Sequence, residues 1–260
     1  RSRATIVRTS NRPFAGGADQ LHCGHPMLQT IELKTRIPIR IEPGFLLVTG
    51  YIGWSYGHTP LQQAGAALVA AGSVLFHELG HALLARRFGC SPSITLHGTG
   101  GQTERSDTLP FRKDLATIAA GPLSSFLLGA LSFALLFFWG VAELPFRAAI
   151  AFPAAAALQM NLAWGVLNSL PLLPLDGGKF AHAVLARRWG LRALRWMHGW
   201  SLVGCGGLAL WFALQGSLFG ALVTGAMAFS HLNAFRAMLG MTDFELGPET
   251  GEILSKAAEL

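Results

Sequence analysis

The sequence predicts an all-α polytopic membrane protein of about six transmembrane helices, one broken at Asp176-Gly177-Gly178, with a small membrane-associated β-sheet or hairpin. Three observations predict it. Hydrophobic residues fill 51% of the 260 positions and charged residues only 13%, about half the roughly 25% of soluble domains. Five stretches are apolar over the roughly 17–25 residues that a hydrocarbon core demands. Two short segments alternate in hydrophobicity as strands do. This composition excludes a disordered chain, a collagen-like repeat and an ordinary secreted domain. Three widely spaced cysteines, Cys23, Cys90 and Cys205, make no disulfide framework.

Residues 1–30 are polar and aperiodic and predict a mobile tail. Its His22-Cys23-Gly24-His25 cluster is read as incidental rather than as a metal site. Ile37–Ile41 alternates as a short strand would, and Ser93–Thr103 does so loosely, ending near Gly100-Gly101. Gly44–Gly57 has 14 residues, about 21 Å of helix against a core of about 30 Å, so it tilts, thins the bilayer or enters it partway. Leu61–Ala85 is apolar except for Gln62, Gln63 and the group His77, Glu78, His81. Leu115–Gly140, Ala148–Leu175, Trp196–Leu214 and Ser217–Phe235 carry no Asp, Glu, Lys or Arg. The apolar segments place the membrane core within residues 31–240. Residues 241–260, with five acids and one lysine, predict a solvated acidic tail.

Charge placement gives the orientation. With six crossings, Lys34, Arg36, Arg40, Arg86, Arg87, Arg105, Arg112, Lys113, Arg187, Arg188, Arg192, Arg195 and Arg236 share one side, and Arg147 stands alone on the other. The basic side is the cytoplasmic one by the positive-inside rule, with both termini there. The same placement accounts for most of the net charge of +6 without nucleic acid, since no basic stripe with interleaved aromatics exists.

His77-Glu78-Leu79-Gly80-His81 carries the chemistry. Residues four apart share a helix face, so His77 and His81 can hold one Zn2+ ion while Glu78 stands ready to take a proton from water. Three ionisable residues within a bilayer-depth helix are costly without a shared partner, which a divalent cation supplies. A catalytic zinc site usually has three protein ligands. The candidate third is Asp176, in Asn168-Ser169-Leu170-Pro171-Leu172-Leu173-Pro174-Leu175-Asp176-Gly177-Gly178. Pro171 and Pro174 break the helix there, and broken backbone at membrane depth is tolerated only against protein or a wet cavity. The competing reading is a kinked helix whose Asp176 pairs with Lys179 or an arginine. Distances along the chain set both halves at similar depth: His77 is nine residues and His81 five from Arg86, about 8–14 Å, and Asp176 is eleven from Arg187, about 16 Å if helical.

These two motifs together resemble the site-2 protease family of intramembrane zinc metalloproteases. Asn168–Gly178 fits the family pattern Asn-x-x-Pro-x-x-Pro-x-Asp-Gly-Gly, and Ala120-Gly121-Pro122 and Ile94–Thr103 with its paired glycines are also similar to it. The resemblance implies zinc held by His77, His81 and Asp176, Glu78 as general base, and Asn168 positioning or polarising the substrate carbonyl. It also implies a β-hairpin around Gly100 and Gly101 that pairs with an unwound substrate. The expected activity is zinc-dependent endoproteolysis in or near the transmembrane segment of a membrane protein, as in regulated intramembrane proteolysis, often after an upstream protease has acted on the same substrate. The expected location is the plasma (inner) membrane. Ser125 stands where the family often has asparagine, and no insert long enough for a PDZ domain nor a nucleotide-binding domain is evident.

The rival class is a membrane protein that holds zinc structurally or transports it. A structural site would show a fourth protein ligand, and a transporter a series of acids along its path. Asn161, Lys179, His182 and His231 remain: Asn161 is read as helix packing rather than part of the site, Lys179 and His182 as lining the cavity or reaching the cytoplasmic interface, with Lys179 snorkelling there, and His231 as an interhelical donor.

Overall fold

The computed structural model describes residues 4–5, 30–33, 35–141 and 147–239. Its elements run β1 (Ala4–Thr5), β2 (Ile31–Leu33), β3 (Ile39–Ile41), α1 (Pro43–Tyr56), α2 (Pro60–Arg87), β4 (Pro92–His97) and β5 (Gly100–Arg105). There follow α3 (Phe111–Val141), α4 (Arg147–Ser169), α5 (Asp176–Trp189), α6 (Leu191–Leu214) and α7 (Leu218–Leu239). Five helices, α2, α3, α4, α6 and α7, are long and apolar enough to cross a membrane. The protein is an integral multi-pass membrane protein. With 14 residues, α1 stays short of that length. The His22–His25 cluster and the acidic residues 241–260 lie outside the described residues. Of the expected N-terminal tail, Ala4–Thr5 is described, as a strand paired with β2.

The chain divides into two compact units, residues 1–108 with 130–160, and residues 109–129 with 161–260. In the first, a five-stranded sheet of order β1-β2-β3-β4-β5 packs on α1 and α2. All its pairings are antiparallel except β3 with β4, which run parallel, Ile39 opposite Ile94 and Ile41 opposite Leu96. Burial alternates along β4, and its inward residues Ile94 and Leu96 form a core with Ile37, Phe45 and Ala82. Because β3 leads into α1 and β4 leaves α2, their pairing makes the chain enter α1 and leave α2 at one end. Arg40 on β3 and Arg86–Arg87 at the end of α2 therefore share a side, as the charge pattern requires.

Local chemistry explains the α1–α2 hairpin. Thr59 caps α2 by accepting from the Gln62 amide, with Pro60 at the first helical position, where its missing N–H is no loss. Gly53 lets α1 approach closely, since a Cβ there would overlap Gln63 and Ala67. Tyr56 at the end of α1 donates to Gln159 of α4. At its far end α2 closes in a Schellman motif: Gly89, with φ of 98°, donates to Arg86, and Cys90 donates to Ala85. Arg86 and Arg87 sit in this last turn, where positive charge favours the helix dipole.

In the second unit the predicted break is present. Helix α4 ends at Ser169, and six residues pass before α5 starts at Asp176. Pro171 and Pro174 fall within the break, and the Leu173–Pro174 bond is cis. Neither glycine after Asp176 tolerates a side chain: a Cβ on Gly177 would overlap the carbonyls of Ser169 and Leu170, and one on Gly178 the Leu172 backbone. The Asp-Gly-Gly sequence thus reflects the close return of α5 onto its own connection. Helices α6 and α7 form the remaining hairpin, and the Arg187 guanidinium lies over the Phe111 ring, 4.4 Å from its centroid.

Candidate metal centre

One face of α2 carries His77, Glu78 and His81, all buried, at 2%, 4% and 8% exposure. Four residues apart, the two imidazoles turn the same edge toward one point, with Nε2 to Nε2 of 3.3 Å. Two nitrogens bound at about 2.0–2.1 Å to a tetrahedral zinc stand roughly 3.4 Å apart. The pair therefore fits zinc as it stands.

Glu78 is held from the sheet. The Thr103 hydroxyl on β5 lies 2.8 Å from Glu78 Oε2 and 3.1 Å from the Glu78 carbonyl oxygen, donating to the carboxylate. Two residues earlier on the same strand face, Gly101 lies so close that a Cβ would overlap the Glu78 side chain. Gly100, with φ of 139°, opens the strand at the hairpin turn, opposite His97. β5 is the edge strand of the sheet. One side of it shapes the space around the acid, and among the described strands none lies beyond it.

The first unit thus brings His77, Glu78, His81 and Gly101 together, with Gly100 at the head of the same strand. Asn168 and Asp176 belong to the second unit, on either side of the break. Asn168 is buried in the last turn of α4, and its Nδ2 donates to the Trp164 carbonyl at 3.0 Å. Asp176 is buried at the first position of α5, and Lys179 Nζ stands 3.3 Å from its Oδ1. The Lys179 partnership expected in the competing reading is therefore present, with Lys179 itself half exposed. The ligands expected from sequence are thus two buried imidazoles in one unit and a buried carboxylate in the other, donor types that catalytic zinc sites use.

Thr103 escaped the sequence reading. The usable signal was its two-residue spacing from Gly101, which puts both on one strand face. Replacing Thr103 by valine keeps the shape and removes the donor. A hydrogen bond to a charged group is worth about 1.5–3 kcal/mol. The expected result is at least a tenfold fall in kcat for any reaction in which Glu78 carries the proton, with KM little changed and Thr103→Ser close to wild type.

No family model matches the chain. Among curated proteins, Rip3 of Mycobacterium tuberculosis, which bears the name of a zinc metalloprotease, is 41% identical over 133 residues, covering 50% of this chain and 33% of its own. Zinc metalloprotease MJ0392 of Methanocaldococcus jannaschii is 29% identical over 156 residues, covering 59% of this chain and 44% of its own. The chain thus spans less than half the length of these relatives. Among solved structures, the site-2 protease of Methanocaldococcus jannaschii matches with a TM-score of 0.58 and 25% identity, over 79% of this chain and 95% of that one.

Proposed function

We propose that this chain, which belongs to the site-2 protease family, is a zinc metalloendopeptidase that cuts a peptide bond in or near a transmembrane segment of a membrane-bound substrate. The observation that carries the reading is the imidazole pair of α2, spaced for zinc and buried beside a carboxylate that a sheet hydroxyl orients.

His77, His81 and Asp176 hold the zinc ion. When bound, zinc supplies Lewis acidity toward water and toward the scissile carbonyl. Glu78 accepts the proton of the attacking water on its carboxylate and delivers it to the departing amide nitrogen, so that proton gain and loss balance over one turnover. Thr103 keeps that carboxylate in one orientation while it works. Asn168 uses its second amide hydrogen on the substrate carbonyl oxygen, the first being committed to Trp164. A substrate helix shields its carbonyls in its own hydrogen bonds, so it unwinds before cleavage. The edge of β5 then replaces the lost bonds by strand addition, Gly100 opening that strand and Gly101 making room for Glu78 beside it.

Arginines at the ends of α2 and α5 and the start of α6 orient the protein, with the residues preceding α1 and following α7 on the cytoplasmic side of the plasma membrane. A second protease that trims the substrate beforehand belongs to the same reading.

The test is incubation of the detergent-purified protein with a membrane peptide bearing a helix-destabilising residue. Cleavage is expected, lost on addition of a zinc chelator and restored by zinc. No cleavage by zinc-loaded protein sinks the enzymatic reading and leaves metal holding or transport.

A further inference from the structure

His231 sits buried in α7, and the proposed chemistry gives it no task. An ionisable side chain in an apolar span is costly unless it meets a partner. Its partner is backbone: Nε2 lies 2.6 Å from the Leu173 carbonyl oxygen. A carbonyl only accepts, so Nε2 carries the proton. Nδ1 of neutral His231 is then an acceptor, and 3.0 Å away stands Nδ1 of His198 on α6, which donates to it. The amide of the same Leu173 donates to Ser201 Oγ at 2.8 Å, and Ser201 is wholly buried. Two side chains, 28 and 58 residues further along the chain, thus hold both polar groups of one residue. One turn beyond Ser201, Gly204 makes room for Leu172, since a Cβ there would overlap that side chain.

We propose that Ser201 and His231, with His198 fixing the tautomer of His231, are positioning residues for the zinc site. They clamp Leu173 through the peptide groups on both sides of it and so set where the Asp176 carboxylate stands three residues later. The inference rests on the reading of Asp176 as a zinc ligand. The break is the one irregular stretch between two described helices that must present a ligand accurately, and Pro171 and Pro174 strip it of two backbone donors. Within the break Leu170, Leu172 and Leu175 donate to nearby backbone carbonyls, and Leu173, the remaining donor, is held from α6 instead. The two bonds fall on the peptide units either side of the Leu173 Cα, one from α6 and one from α7, and so limit rotation about that residue as well as its translation. Partners behind metal ligands commonly contribute about 10–100-fold in affinity.

Zinc affinity of the purified full chain, measured by competition with a chelator, tests this alongside peptide cleavage. Ser201→Ala and His231→Leu are expected to weaken zinc binding about tenfold or more. His231→Gln, whose amide nitrogen reaches the place of Nε2, is expected to stay within about threefold of wild type. Unchanged affinity in Ser201→Ala and His231→Leu overturns the proposal. Equal weakening in His231→Leu and His231→Gln also overturns it, since general packing then explains the loss. Asp176→Asn serves as the reference: if it binds zinc like wild type, the ligand reading fails, and if it alone is weakened, only the clamp fails.

Discussion

Glu78→Gln is expected to abolish peptide cleavage, by at least about 10³-fold, while zinc stays bound within about threefold of wild type. The substitution is isosteric. Its carbonyl oxygen still accepts from Thr103, and its size is unchanged against Gly101, where β5 leaves no slack. What it removes is the capacity to take a proton, and positioned acid–base groups contribute about 10²–10⁴ on their own. Zinc retention follows because the imidazole pair, not Glu78, is spaced for the ion. Cleavage assays on zinc-loaded protein, with metal content measured in the same samples, check both halves. Turnover near wild type removes the general-base assignment. Loss of zinc with the activity would move Glu78 into the ligand set.

The spans were legible because the bilayer imposes a simple length rule, and the boundaries differ where that rule stops applying. The apolar run beginning at Trp196 marks hydrocarbon, but α6 starts at Leu191, with Arg192 and Arg195 on its first turns. Likewise α3 starts at Phe111, ahead of the apolar run at Leu115. Helical hydrogen bonding continues into the interface, where charge is tolerated. The short α1 is half explained by sequence. Its 14 residues are as predicted, and what the sequence lacks is the parallel pairing of β3 with β4, which alone shows that α1 starts where α2 ends.

The same division runs through the site. His77 and His81 were legible because helix periodicity converts a spacing of four into a shared face. The break before Asp176 was legible because proline and glycine act locally. Thr103 and Ser201 were not, since a hydroxyl in an alternating strand or an apolar helix gives no hint of what lies opposite. His231 was read as an interhelical donor. The structure corrects its acceptor to a loop carbonyl, 58 residues distant, that only tertiary packing brings within reach.

Asp176→Asn is expected to lower zinc affinity by at least about 100-fold and to remove cleavage with it. An amide oxygen carries no charge, and zinc sites draw on carboxylate, imidazole and thiolate donors. Two other roles for Asp176 predict something smaller. As an acid in the first turn of α5 it favours the helix dipole by about 0.3–1 kcal/mol, which touches stability and not the metal. As the partner of Lys179 it belongs to an ion pair whose lysine is half exposed, and such pairs contribute about 0–1 kcal/mol. Lys179→Met separates these readings. If the ion pair is the purpose of Asp176, Lys179→Met reproduces the Asp176→Asn defect. If the carboxylate serves zinc, Lys179→Met leaves affinity equal to wild type or higher, because a positive charge beside the ligand has been removed. Chelator competition on the two variants decides between them, and equal losses in both would strike Asp176 from the ligand set.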